Sequence, residues 1–232
     1  MDYKKQLFLL HHAGGSSYSY QFLKPYLNEF ECITLELPGR GRRMEGSLLT
    51  DFDTAVYDQY QQLLMHLKTR NFALYGHSMG AYLALRLVNL LEKEDSKPSF
   101  LFVTGSAGPK AKSGKMRHLF RANDLINEIK ALGGVPEDIL KNNGFMQYYL
   151  PIIRADFELI EKSDLINEPP VNVPIFAIMG NEEHNYKNIS QWQVYTTKQF
   201  DYEILEGNHF FIYKHAQYIA SKLKYLYEET NL

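Results

Sequence analysis

The stretch FALYGHSMGAYLALRLVNLL, residues 72–91, sets the reading of the whole chain. Phe72–Tyr75 is a short apolar strand. Gly76-His77-Ser78-Met79-Gly80 matches the pattern G-x-S-x-G. Met79–Leu91 is apolar almost all round, as a buried helix is. A serine at such a strand-to-helix turn has a strained backbone that lifts its hydroxyl above the sheet. The flanking glycines avoid side-chain clashes across the turn. A plain glycine turn is the competing reading, and the strand before and helix after favour the nucleophile.

On either side the same alternation recurs. Gln6–Leu10, Cys32–Leu37, Phe100–Thr104, Pro174–Met179 and Tyr202–Leu205 read as strands, and Tyr18–Phe30, Asp51–Lys68 and His215–Glu229 as helices. Strand–helix alternation predicts an α/β fold: a mostly parallel central sheet flanked by helices on both faces. The stretch between Gly105 and Pro174 breaks the pattern. It offers two helical patches, Asn123–Leu132 and Gly144–Glu161, and closes on Glu168-Pro169-Pro170. We expect a single domain over residues 1–232 with a helical lid inserted at about 107–170.

The 232 residues are 45% hydrophobic and 22% charged, an ordinary globular composition. A net charge of −2 gives no drive toward nucleic acid or membrane. Cys32 is the only cysteine, so no internal disulfide forms. The apolar run Leu7–Leu10 is too short for a signal peptide or a membrane span. These features predict a soluble, cytoplasmic protein, and a monomer is expected.

A serine hydroxyl needs a base. Of the histidines after Ser78 (His118, His184, His209 and His215), His209 lies in the loop between the last strand and the last helix, where this architecture places its base. No Asp or Glu occurs between Ser96 and Asn123. The orienting acid is therefore sought after the next strand, in Gly180-Asn181-Glu182-Glu183, with Glu183 assigned and Glu182 as the competitor. An oxyanion hole needs two backbone N–H donors. Met79 follows the nucleophile, and Ala13 lies in His11-His12-Ala13-Gly14-Gly15 at the end of the first strand. A metal held by His11-His12 is disfavoured, because adjacent strand residues point to opposite faces.

With these residues in place, the chain resembles the type II (external, editing) thioesterases of polyketide and non-ribosomal peptide synthesis, members of the α/β-hydrolase superfamily. LLHHAGGS (9–16), LELPGRGR (35–42), YGHSMGA (75–81), LPIIRAD (150–156) and GNHFF (207–211) carry the resemblance. It implies an α/β-hydrolase fold and hydrolysis of acyl groups from the phosphopantetheine thioester of an acyl- or peptidyl-carrier protein, which clears stalled synthase lines. It also implies Ser78, His209 and the acid as a triad, with Ala13 and Met79 as oxyanion donors. No cofactor or metal is needed. The chain departs from the family at two points. Glu183 stands where the family usually has Asp. Asn208 replaces the second Gly of Gly-Gly-His, a change that still permits a left-handed backbone.

Within the inserted segment, Leu119, Phe120, Leu125, Ile129, Phe145, Met146, Tyr149 and Ile153 are candidates for an apolar acyl lining, with most of them expected to be lid core. Leu119, Phe120, Phe145, Met146 and Tyr149 form the substrate-binding set. Lys110, Lys112, Lys115, Arg117 and Arg121, with no acid among them, are either a docking surface for an acidic carrier or a solvated loop. An esterase, lipase or peptidase on the same scaffold, an acyltransferase, and a non-catalytic binding protein are the alternative functions.

Overall fold

The structure, a computed structural model, describes residues 4–230. Six strands form one sheet: β1 Lys5–Leu10, β2 Phe30–Leu35, β3 Phe72–His77, β4 Leu101–Thr104, β5 Ile175–Gly180 and β6 Phe200–Leu205. Their order is β2-β1-β3-β4-β5-β6, and every neighbouring pair is parallel. This is the α/β architecture that the alternation predicts.

Side chains alternate between two cores, as strand geometry dictates. Phe8, Leu10, Phe72, Leu74, Leu101, Val103, Ile175 and Ala177 face one way, toward α1 (Phe52–His66) and α2 (Met79–Lys93). Leu7, Leu9, Ala73, Tyr75, Phe102, Phe176 and Ile178 face the other, toward α6 (Ala216–Glu229). Strand order reverses between β1 and β3, and ligands of such sheets bind at the C-terminal ends of the strands flanking that point. The loop after β1 and the turn after β3 are therefore neighbours.

Asp51 starts α1 by accepting the Thr54 N–H at 2.8 Å. The helix expected over Tyr18–Phe30 shrinks to a 3-10 turn at Gln21–Tyr26. Pro25 lies inside it and has no amide proton to continue an α-helical ladder. β2 begins and ends two residues before the expected Cys32–Leu37. Glu36 leaves the sheet because its carboxylate is drawn to the loops, accepting the Ser17 and Arg42 N–H groups at 2.5 and 2.8 Å.

Between β4 and β5 lie α3 (Ala122–Leu132), α4 (Glu137–Leu140) and α5 (Asn143–Lys162). Leu125, Ile129, Leu140, Met146, Tyr149 and Ile153 form an apolar cluster separate from the two sheet cores. No helix of the described residues is long and apolar enough to cross a membrane.

Candidate active site

Ser78 sits between β3 and α2 with φ 57° and ψ −115°. A non-glycine residue holds this conformation only where its surroundings enforce it. Here the Ser78 N–H is tied to the Thr104 carbonyl at 2.8 Å. The glycines make room for the turn: a Cβ on Gly76 would lie 2.2 Å from the Gly80 carbonyl oxygen, and one on Gly80 2.0 Å from that of Leu10. Met79 is the first residue of α2, so its N–H has no acceptor within the helix.

The ends of β5 and β6 approach closely, because Gly180 and Gly207 have no side chains to separate them. This carries Glu183 to His209, whose Nδ1 donates to Glu183 Oε2 at 2.6 Å. Glu183 Oε1 accepts the Gly180 N–H at 2.9 Å. Glu182 is exposed, and its backbone N–H goes to the Gly207 carbonyl. Of the two glutamates, Glu183 is thus the one that meets the imidazole. Gly207, not Asn208, takes the positive φ of this loop. The Asn208 amide instead lies against Gly133.

The loop after β1 is held on several sides. Gly15 N–H donates to the His12 carbonyl at 2.9 Å, and Gly14 N–H to Asp156 Oδ2 at 2.7 Å. Ala13 is the residue whose N–H neither bond engages. The two histidines are structural members of this loop. His11 Nδ1 donates to the His12 carbonyl at 2.8 Å, and His12 Nδ1 to that of Ala13 at 2.9 Å. Burial pushes the His12 pKa down to about 4. His77, whose ring centre lies 4.9 Å from that of His209 at a 36° tilt, is held well below the usual histidine range by burial, with His209 and His12 adding to the effect.

Ser78, His209, Glu183, Ala13 and Met79 all line one cavity of about 380 Å³. A second, apolar recess of about 30 Å³ also opens on Ser78 and His209. Of the expected substrate-binding set, only Tyr149 lines this recess, joined by Ile129 and Ile153 from the wider list. Leu119, Phe120, Phe145 and Met146 line neither cavity. Leu119 is 70% exposed, and Met146 is buried in the helical cluster, with Phe120 and Phe145 packed on it. Leu132, Phe157 and Phe210, which the sequence reading passed over, take their place. Phe157 follows Tyr149 and Ile153 at four-residue spacing along α5, a helical stripe that could have revealed it.

The basic run is not free of acids in space. Lys115 and Arg117 both pair with Glu128, at 2.9 and 2.8 Å. Arg117 also reaches Glu161, and Lys112 donates to the Glu161 and Ser163 carbonyls. Sequence distance hid these partners, which come from α3 and α5.

The thioesterase-domain family profile matches residues 5–226. Gramicidin S biosynthesis protein GrsT of Aneurinibacillus migulanus is 31% identical over 216 residues, which cover 91% of this chain and 84% of that protein. ClbQ from the colibactin NRPS/PKS pathway superposes with a TM-score of 0.90 at 26% identity, covering 99% of both chains. BorB, the type II thioesterase from the borrelidin biosynthetic cluster, gives 0.86 at 27%, covering 96% of this chain and 92% of its own. Through a profile match that spans nearly the whole described chain, and with relatives of these kinds, the protein belongs to the thioesterase family.

Proposed function

We propose that the chain is an editing thioesterase of the type II kind, hydrolysing acyl groups from the phosphopantetheine thioester of a carrier protein. The observation that carries this reading is the strained Ser78 lining one cavity with the Glu183-paired His209. His209 takes the Ser78 proton as the hydroxyl attacks the thioester carbonyl. Glu183 holds the imidazole tautomer and stabilises the imidazolium. The N–H groups of Met79 and Ala13 receive the developing oxyanion. The pantetheine thiol leaves with a proton from His209. Water activated by His209 then cleaves the acyl-serine and releases the acid.

The segment 107–170 acts as a lid over Ser78, and its Tyr149, Ile153 and Phe157 bound the acyl end of the substrate. Relatives from synthase clusters support the carrier protein as partner. The test is the intact mass of an acetyl-loaded carrier after incubation with enzyme, beside Ser78→Ala. Loss of the acetyl mass with the Ser78 enzyme alone supports the proposal. No loss across several acyl groups and carriers, with simple esters still hydrolysed, overturns it in favour of an esterase.

A further inference from the structure

Two of the sequence motifs have no part in the reaction just described: LPGRG after β2 and LPIIRAD on α5. The structure brings both to the loop that carries Ala13. Asp156, 142 residues from Gly14 in sequence, accepts the Gly14 N–H at 2.7 Å. The same carboxylate is gripped in bidentate fashion by Arg40, at 2.5 and 2.8 Å. Arg40 is 1% exposed and Asp156 0%.

The bonds fall on the two peptide units that flank Ala13. In the unit before it, the His12 carbonyl accepts from Gly15 N–H and His11 Nδ1. In the unit after it, the Ala13 carbonyl accepts from His12 Nδ1, and the Gly14 N–H is taken by Asp156. Fixing both units fixes the Ala13 backbone, and with it the direction of the Ala13 N–H. A buried ion pair is a poor way to gain stability, since well-packed apolar residues of similar volume often do as well or better. An apolar pair could hold α5 on this loop, but it could not accept the Gly14 N–H.

We propose that Arg40 and Asp156 are positioning residues for the oxyanion donor. The carboxylate fixes the Ala13–Gly14 peptide, Arg40 aims the carboxylate, and the donor is set only when α5 is seated on the β1 loop. Tyr149 lies two helical turns before Asp156 and stands against Gly14, so the same seating forms the acyl recess. The inference rests on the thioesterase reading and assigns the residues that hold its oxyanion hole in shape.

The full chain is assayed with acetyl-S-N-acetylcysteamine as Asp156→Asn, Arg40→Lys and Arg40→Met. Leu159→Ala, a buried position of the sheet core on the same helix, is the packing control. Asp156→Asn should lower kcat about 10- to 100-fold, less than or comparable to loss of one donor. KM should stay within about twofold. A trifluoromethyl ketone, which adds to serine and places its oxyanion in the hole, should lose affinity by the same factor as kcat/KM. The matching non-adducting alcohol should bind as before. Arg40→Lys should retain more kcat than Arg40→Met, which keeps the proposal testable where Asp156→Asn does not fold. Leu159→Ala should lower Tm yet keep kcat at temperatures well below it.

An unchanged kcat in folded Asp156→Asn overturns the proposal. So does a lowered kcat with trifluoromethyl ketone affinity intact, or an equal kcat loss in Leu159→Ala. Wild-type enzyme that neither cleaves thioesters nor becomes labelled at Ser78 by a fluorophosphonate would sink the thioesterase reading itself, and this inference with it.

Discussion

Both carboxylate oxygens of Glu183 are engaged, one by the Gly180 N–H and one by His209. The arm of Glu183 spans the turn after β5, and the bond to the Gly180 N–H keeps that arm from swinging. Glu183→Ala should therefore lower kcat/KM by about 10²- to 10⁴-fold, as loss of an orienting acid does elsewhere. Glu182→Ala should leave it within about twofold. Steady-state kinetics on a small thioester compare them, and the reverse ranking would reject the assignment. Ser78 and His209 could be picked out from sequence because their signals are local: a five-residue turn motif and a strand–loop–His pattern. The two glutamates could not be separated that way, since neighbours in a turn differ only in where the backbone aims them. Asp156 stood out as part of a motif, but its partner Gly14 lies 142 residues away in sequence.

At the scale of elements, the turn at Ser78 leaves no slack. The Cβ of Gly80→Ala would meet the Leu10 carbonyl oxygen at 2.0 Å, a backbone atom of the central sheet. That overpacking should cost at least about 3 kcal/mol, read as a fall in the urea midpoint. A midpoint within error of wild type would contradict the close approach. The start of α1 is milder: Asp51→Ala should cost about 1 kcal/mol with kcat unchanged. Arg117→Glu, which turns the Glu128 and Glu161 pairings into repulsions, should slow carrier and small-ester hydrolysis alike. Loss on the carrier alone would return Arg117 to a docking role. Short continuous apolar runs made the strands readable, as strands covered on both faces are, and 3.6-residue spacing revealed α3 and α5. α4 spans only Glu137–Leu140, about one turn, and so shows no period. The Tyr18–Phe30 segment misled because its apolar spacing is helical, whereas the chain forms only a 3-10 turn there, with Pro25 withholding one amide proton from any α-helical ladder.

Across the whole molecule, the parallel sheet followed from strand–helix alternation, whereas strand order did not, because alternation is silent about which side each new strand joins. The order matters, as it sets the β1 loop beside Ser78. Close around that junction lie the buried His11 and His77 and the half-buried His12, whose pKa values desolvation lowers. His12 takes up a proton near pH 4 in the folded chain, against 6.5 for a free side chain. Between those values the unfolded chain binds more protons, so stability is full above about pH 6.5 and falls as the pH drops toward 4. His12 alone accounts for a loss on the order of 3 kcal/mol, and His11 and His77 act in the same direction. Urea midpoints at pH 7.5 and 4.5 measure it. His12→Gln, which does not titrate, should narrow the difference, and an equal difference in the variant would refute the assignment to His12. The packing of α5 has a consequence of another kind. Its first half, Met146 to Ile153, belongs to the separate helical cluster, while Leu159 is anchored in a sheet core. Amide hydrogen exchange should therefore run as a gradient along one continuous helix, fast near Met146 and slow near Leu159. The helix would then behave as a cantilever whose fixed end lies in the scaffold, leaving the free end open to evolutionary drift in acyl preference at little cost to the sheet.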